Sequence, residues 1–139
     1  MSSAIPPEDK RGTEQGLRRG EERAIGGSAG CQVWSQDGVT VVELRGAIDV
    51  GCALLLKTVF EEVMQHGVRH LVVDLSEVEF VDSSGLGVFV AAHRIARSRG
   101  SSLTLCAPQP QVRKVFQLTK TDKVFAIAPD LETALRTGA

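Results

Sequence analysis

From Cys31 onward, the apolar residues fall into two alternating patterns, short β-rich runs and longer stretches at helical spacing. Cys31 to Gln36 and Val39 to Arg45 are β-rich and flank Asp37-Gly38, a dipeptide suited to the positive φ angles of a tight primed turn, which predicts an antiparallel hairpin. Cys52 to Gln65 places Ala53, Leu56, Val59, Phe60 and Val63 on one helical stripe, and His66-Gly67 supplies the stop. His70 to Leu75 is a short, nearly continuous apolar run of the kind found in strands covered on both faces, so it belongs at the sheet centre. A second helix is expected from Ser84 to about Arg99, carrying Leu86, Val88, Phe89, Val90, Ala92 and Ile95 and ending at Gly100. Leu103 to Cys106 and Val124 to Ala128 read as further strands. Between them Pro110 to Thr119 reads as a helix burying Val112, Val115, Phe116 and Leu118, and Asp130 to Arg136 as a short last helix. Strands that alternate with helices need crossover connections. The prediction is an α/β fold with a mostly parallel central sheet, an N-terminal antiparallel hairpin at its edge and helices packed against it.

Residues 1–30 carry no such period. They are rich in Gly, Ser, Pro and charge, their five basic and five acidic residues cancel, and Ile5, Leu17 and Ile25 are too sparse to bury a face, so a disordered tail is expected there. The 139 residues allow one packed core, expected over residues 31–139. With 16 basic and 17 acidic residues there is no excess positive charge to follow a nucleic-acid backbone or an anionic membrane surface. No apolar run approaches the roughly 20 residues of a membrane span, and a cytoplasmic protein whose partners are other proteins is expected. Cys31, Cys52 and Cys106 are widely spaced without a C-x-x-C and read as free thiols, and His66, His70 and His93 form no ligand set, so neither a metal nor a cofactor is expected.

The chemistry concentrates in Val81-Asp82-Ser83-Ser84-Gly85-Leu86-Gly87-Val88, where a buried strand hands over to a helix. The first backbone N–H groups of a helix lack internal acceptors and carry the positive end of its dipole, so a phosphate on Ser84 would be partly neutralised there. Ser83 and Ser84 are equally residues favoured as plain helix N-caps. Gly85 leaves space beside the hydroxyl or serves a tight turn. Catalysis fits poorly: a nucleophile elbow would need glycine where Asp82 stands, and no Asp and His pair completes a triad. Gly85-Leu86-Gly87 fails the dinucleotide pattern and no P-loop occurs, so a nucleotide-binding or weak NTPase module is a minor alternative. Asp49, after Gly46-Ala47-Ile48, reads either as an N-cap or as a residue that the strand ends bring close to Ser84, where its charge would sharpen repulsion of a phosphate. Arg94, Arg97 and Arg99 read as a solvated helix face at the favourable end of the dipole, with a basic docking patch as the alternative.

Gly46-Ala47-Ile48-Asp49, Leu71-Val72-Val73-Asp74-Leu75, Val78 to Val88 and Val115-Phe116-Gln117-Leu118-Thr119 together resemble bacterial STAS-domain anti-sigma factor antagonists, in order and spacing, over Cys31 to Leu135. The resemblance implies a STAS-like single domain and a non-enzymatic partner switch. Unphosphorylated members of that family bind an anti-sigma factor that is also a GHKL-type serine kinase. Phosphorylation on the second serine of the run breaks the complex, and a PPM-type serine phosphatase restores it. Ser84 is then the phosphoacceptor, and Asp49, Asp82, Ser83, Ser84 and Gly85 form the partner-binding surface. A scaffold subunit of a stressosome-like complex is the alternative within the same family. Two departures stand out: Val50 to Ala53 is less polar than the family pattern, and Lys120 stands where a glycine often ends the third helix, which requires either positive φ at Lys120 or a different turn.

Overall fold

The structure, a computed structural model, describes residues 18–138. Its strands are β1 (Arg18–Arg19), β2 (Arg23–Gly26), β3 (Ala29–Gln36), β4 (Val39–Ile48), β5 (His70–Val81), β6 (Ser102–Cys106) and β7 (Ala126–Ala128). Its helices are α1 (Ala53–Met64), α2 (Ser83–Ser98), α3 (Pro110–Thr119) and α4 (Leu131–Gly138). The sheet runs β1-β3-β4-β5-β6-β7, with β2 also pairing with β3. The pairs from β4 through β7 are parallel, whereas β3 runs antiparallel to β4, β1 and β2. The expected hairpin is present, and its turn residues Asp37 and Gly38 adopt φ of 54° and 83° as a primed turn demands.

The sheet's two faces are covered unequally. Val42, Leu44 and Ile48 of β4 and Leu71, Val73 and Leu75 of β5 join the main core, which packs beneath α1, α2 and α3. Val41 and Val72 point the other way with Trp34, Cys106 and Ala128, against Leu131, Ala134 and Leu135 of α4. At the centre of the main core, Phe89 lies 6.4 Å from both Phe60 and Phe116, so one ring from each of α1, α2 and α3 meets there. All three cysteines are free and buried; burial pushes each thiol up, that of Cys106 to about 12, with Asp74, Asp130 and Glu43 adding to it.

Four expectations need correction. Residues 18–30, expected to belong to a tail, form β1, β2 and the start of β3, while residues 1–17 lie outside the described residues. The reason is the outer edge of β3: its backbone groups need partners, which β1 and β2 supply, and Ile25 and Ala29 are buried in the main core at 2% exposure. Strand β5 runs to Val81, six residues past the predicted run, because its second half buries only Val78 and Val81, with two exposed residues before each where the ladder to β4 slips, instead of being apolar throughout. On α3, Val112 and Phe116 are buried, but Val115 is half-buried and Leu118 is 73% exposed. The last parallel strand begins at Ala126, because Thr121–Lys123 forms a 3₁₀ turn after Lys120. Lys120 itself takes the left-handed conformation at φ 64°, doing at about 1 kcal/mol of strain what glycine does freely.

His70 opens β5 in a buried position. Its Nδ1 meets the Ser102 hydroxyl, while Nε2 has no hydrogen-bond partner among the described residues. Burial, reinforced by Arg69, holds this imidazole below its ordinary 6.5, and burial with Arg97 nearby does the same to His93, which packs against the Phe125 ring. A base with a depressed folded pKa contributes its full stability above the unfolded value and loses it as pH falls through that value toward the folded one. Unfolding free energy is therefore expected to drop as pH falls below 6.5; urea midpoints that stay flat from about pH 8 to about pH 5.5 would contradict this. Phe89→Ala empties the meeting point of the three helices and is expected to destabilise by about 3–5 kcal/mol in the same urea experiment.

Candidate functional site

The parallel pairing of β4 with β5 brings their C-terminal ends to one rim of the sheet, with Ile48 opposite Val81. The β4–α1 loop and the first turn of α2 therefore lie side by side. Asp82, not either serine, is the N-cap of α2: its backbone is extended, and its Oδ1 accepts from the Gly85 N–H at 2.9 Å. Ser83 and Ser84 are consequently the first and second residues of the helix. Asp82 also binds the neighbouring loop, since its Oδ2 accepts from the Val50 N–H at 3.3 Å and its own N–H donates to the Ile48 carbonyl at 3.2 Å.

Asp49 does not cap α1; Cys52 occupies that position without a side-chain capping bond, its Sγ donating instead to the Ala47 carbonyl at 3.8 Å. The Asp49 carboxylate instead turns the loop, its Oδ1 accepting from the Gly51 N–H at 2.9 Å while its carbonyl accepts from the Cys52 N–H at 3.1 Å. The two loops meet through the bond from Val50 to Asp82, so Asp49 and the Ser84 turn share one rim, as expected from the strand order. Both carboxylates act on the buried Cys52 beneath them: burial raises its thiol first, and the charges of Asp49 and Asp82 add to the rise.

Ser83 is exposed and Ser84 half-buried, and among the described residues neither hydroxyl is held in a hydrogen bond. Gly85 is buried. A Cβ there would stand 2.2 Å from the Ile48 carbonyl oxygen and 2.9 Å from its Cγ2, so its lack of a side chain lets β4 and α2 approach closely. Its place in the site is thus below the surface. Apolar residues flank the rim: Val50 at 75% exposure, Leu54 at 76% on the first turn of α1, and Phe80 at 51% near the end of β5. Sequence reasoning passed over Leu54 and Phe80 because each lies off the periodic stripe that marks a core position.

Among the described residues no histidine lies near Ser84 to act as a base. His70 begins β5 while the serines follow its end, about 35 Å away along the strand direction at roughly 3.3 Å per residue. His66 closes α1, and His93 lies on α2 against Phe125. Among the described residues no cluster of His, Cys, Asp or Glu is placed to hold a metal ion. One hollow is lined by Glu22, Glu43, Asp74 and Glu77 with Arg45, and that lining repels rather than receives a nucleotide's phosphates. No helix among the described residues is long and apolar enough to cross a membrane.

The STAS domain model matches residues 31–134. An anti-sigma F factor antagonist of Paenibacillus polymyxa is 27% identical over 99 residues, which span 70% of this chain and 85% of that protein. An anti-sigma-B factor antagonist of Listeria monocytogenes is 34% identical over 84 residues, 60% of this chain and 74% of that protein. The crystal structure of an anti-sigma factor antagonist from Mycobacterium paratuberculosis is similar at a TM-score of 0.74 and 33% identity, covering 80% of this chain and 94% of the other.

Asp82→Ala removes the cap and the tie to Val50 together and is expected to destabilise by about 1–2 kcal/mol. Gly85→Ala forces β4 and α2 apart and is expected to destabilise by at least about 2 kcal/mol. Both are read from urea unfolding of the full chain, and a neutral Gly85→Ala would refute the close approach at Ile48.

Proposed function

The chain belongs to the STAS domain family, and from that premise we propose that it is a cytoplasmic anti-sigma factor antagonist working as a partner switch. In the unphosphorylated state it binds an anti-sigma factor with GHKL-type serine kinase activity, which frees the sigma factor. Phosphorylation of Ser84 ends that binding, and a PPM-type serine phosphatase restores it. The names of the Paenibacillus and Listeria relatives support the antagonist role. On this reading the protein acts through contacts with other proteins, not through nucleic acid, membrane or catalysis of its own.

The observation that carries the proposal is the unbonded Ser84 hydroxyl on the first turn of α2, on the rim it shares with Asp82 and the Asp49 loop. Phosphorylation there adds about −1.5 to −2 charges. Toward the fold this charge is tolerable, because the helix N-terminus presents N–H groups and a positive dipole end. Toward a partner packed on the rim it is not, because the phosphate must be desolvated beside two carboxylates. A penalty of only ~2.8 kcal/mol weakens binding about a hundredfold. Asp49, Asp82, Ser83 and Ser84 form the polar part of the contact, and Gly85 shapes it from beneath.

The test is a pulldown from native extract with wild type, Ser84→Ala and Ser84→Glu as baits, combined with phosphosite mapping. Capture of a GHKL-type kinase by wild type and Ser84→Ala but not by Ser84→Glu, with phosphate on Ser84, is the expected result. Equal capture by all three, with Ser84 unmodified, would reduce that serine to an ordinary first-turn residue and favour a stressosome-like scaffold, read as a large assembly by light scattering.

A further inference from the structure

The recognition rim is braced by residues that precede those matched by the family model. Strand β2 and the turn after it lie against the β4–α1 loop, backbone to backbone. Gly26 has φ 116°, and a Cβ there would stand 2.2 Å from the Gly51 carbonyl oxygen and 3.2 Å from the Cys52 Cα. From the other side, a Cβ on Gly46, whose φ is 86°, would stand 2.3 Å from the Ser28 carbonyl oxygen. Both glycines are therefore required by the same contact.

One side chain completes it. The pairing of β3 with β4 ends at Gly30 and Arg45, and the ladder between β4 and β5 slips between Gly46 and Ala47. Ala47 thus lies beyond any partner on β3, and its N–H donates to the Ser28 Oγ at 3.1 Å. Ile25 and Ala29, on either side of the turn, are buried in the same core as Ile48 and Cys52, which bound the loop. The connection continues through Gly51 to Asp49 and through Val50 to Asp82, the cap of the serine helix.

The geometry points to the turn at residues 26–28 as a positioning element for the Asp49 loop: Ser28 and Gly26 set the shape of the rim offered to the anti-sigma factor. This rests on the antagonist function proposed above. The turn acts through Ala47 and Gly51, so Ser28 is a positioning residue rather than a contact residue. Arg23, bridged to Glu62 of α1 at 3.6 Å, ties the preceding strand to the helix that follows the loop. That exposed ion pair adds little energy, so the turn itself carries the effect.

The experiment uses the full chain as wild type, Ser28→Ala, Ser28→Thr and Gly26→Ala. Amide hydrogen exchange is measured at Val50 and Gly51, with Val72 and Val73 as core references, alongside the affinity for the anti-sigma factor captured by the wild type. In Ser28→Ala, exchange at Val50 and Gly51 is expected to accelerate about fivefold with the core amides unchanged, and affinity to fall by about the same factor. Gly26→Ala is expected to do more, and Ser28→Thr, which keeps the hydroxyl, to restore both readouts. Unchanged exchange at Val50 and Gly51 in both Ser28→Ala and Gly26→Ala would overturn the positioning role, and so would accelerated exchange with undiminished affinity. If the wild type captures no anti-sigma factor, the antagonist function fails, and the exchange measurement alone still decides whether the turn holds the loop.

Discussion

The parallel pairing of β4 with β5 is the constraint on which the other features depend. Parallel strands must be joined by a crossover, here α1, and a parallel pair places both C-terminal ends at the same rim. Val42 and Val73 at the middle of this pair are inaccessible to solvent, as are Val41 and Val72 on the opposite face, so the pairing is anchored from both sides. Because β4 leads into the Asp49 loop and β5 into the serine helix, the register of one ladder decides which loop residues face which helix residues. A slip of one position would turn Val81 and Ile48 out of the core and separate the two halves of the site.

At that rim one carboxylate does two jobs. Asp82 caps α2 through Oδ1 and holds Val50 through Oδ2, so the start of the helix and the neighbouring loop share a single anchor. This arrangement leaves Ser83 and Ser84 free of the capping role that serine so often takes. A hydroxyl without a structural duty can be modified without dismantling the turn. In the proposed switch a phosphate on Ser84 would be compatible with the helix, whose N-terminus favours anions, and hostile to a packed partner, so that fold tolerance and partner exclusion would arise from the same few atoms.

The unequal cover of the sheet separates this rim from the rest of the molecule. Among the described residues three helices close the main core, and their rings meet at Phe89, whereas α4 alone packs on the second face. Beside α4 the row Gln32, Glu43, Asp74 and Cys106 crosses the sheet, with Trp34 donating to Glu43 at 2.9 Å. Burial, with Asp74, Asp130 and Glu43 adding to it, pushes the Cys106 thiol up to about 12. Burial and negative charge thus disfavour the thiolate on that face, in contrast to the rim, where the hydroxyls of exposed Ser83 and half-buried Ser84 are unbonded.

The sequence by itself determined the α/β class, the Asp37-Gly38 hairpin, the stripe of α1, the span of α3 and the location of the serine run, because each is written in local periodicity or turn chemistry. It also brought Asp49 to the same rim as Ser84, since that follows from strand order alone. Only the tertiary structure decided the rest. Residues 18–30 join the sheet because the edge of β3 needs partners, a demand that comes from elsewhere in the chain and leaves no periodic trace in Ile25-Gly26-Gly27. The cap fell to Asp82 and not to a serine because the strand's exit geometry fixed which residue stays extended before the first helical turn. Gly85 proved to be a packing glycine because the Ile48 carbonyl lies against it, and that carbonyl is 37 positions away in sequence. Local pattern specifies what a segment becomes; which of its atoms meet another segment's is settled only when the two are packed together.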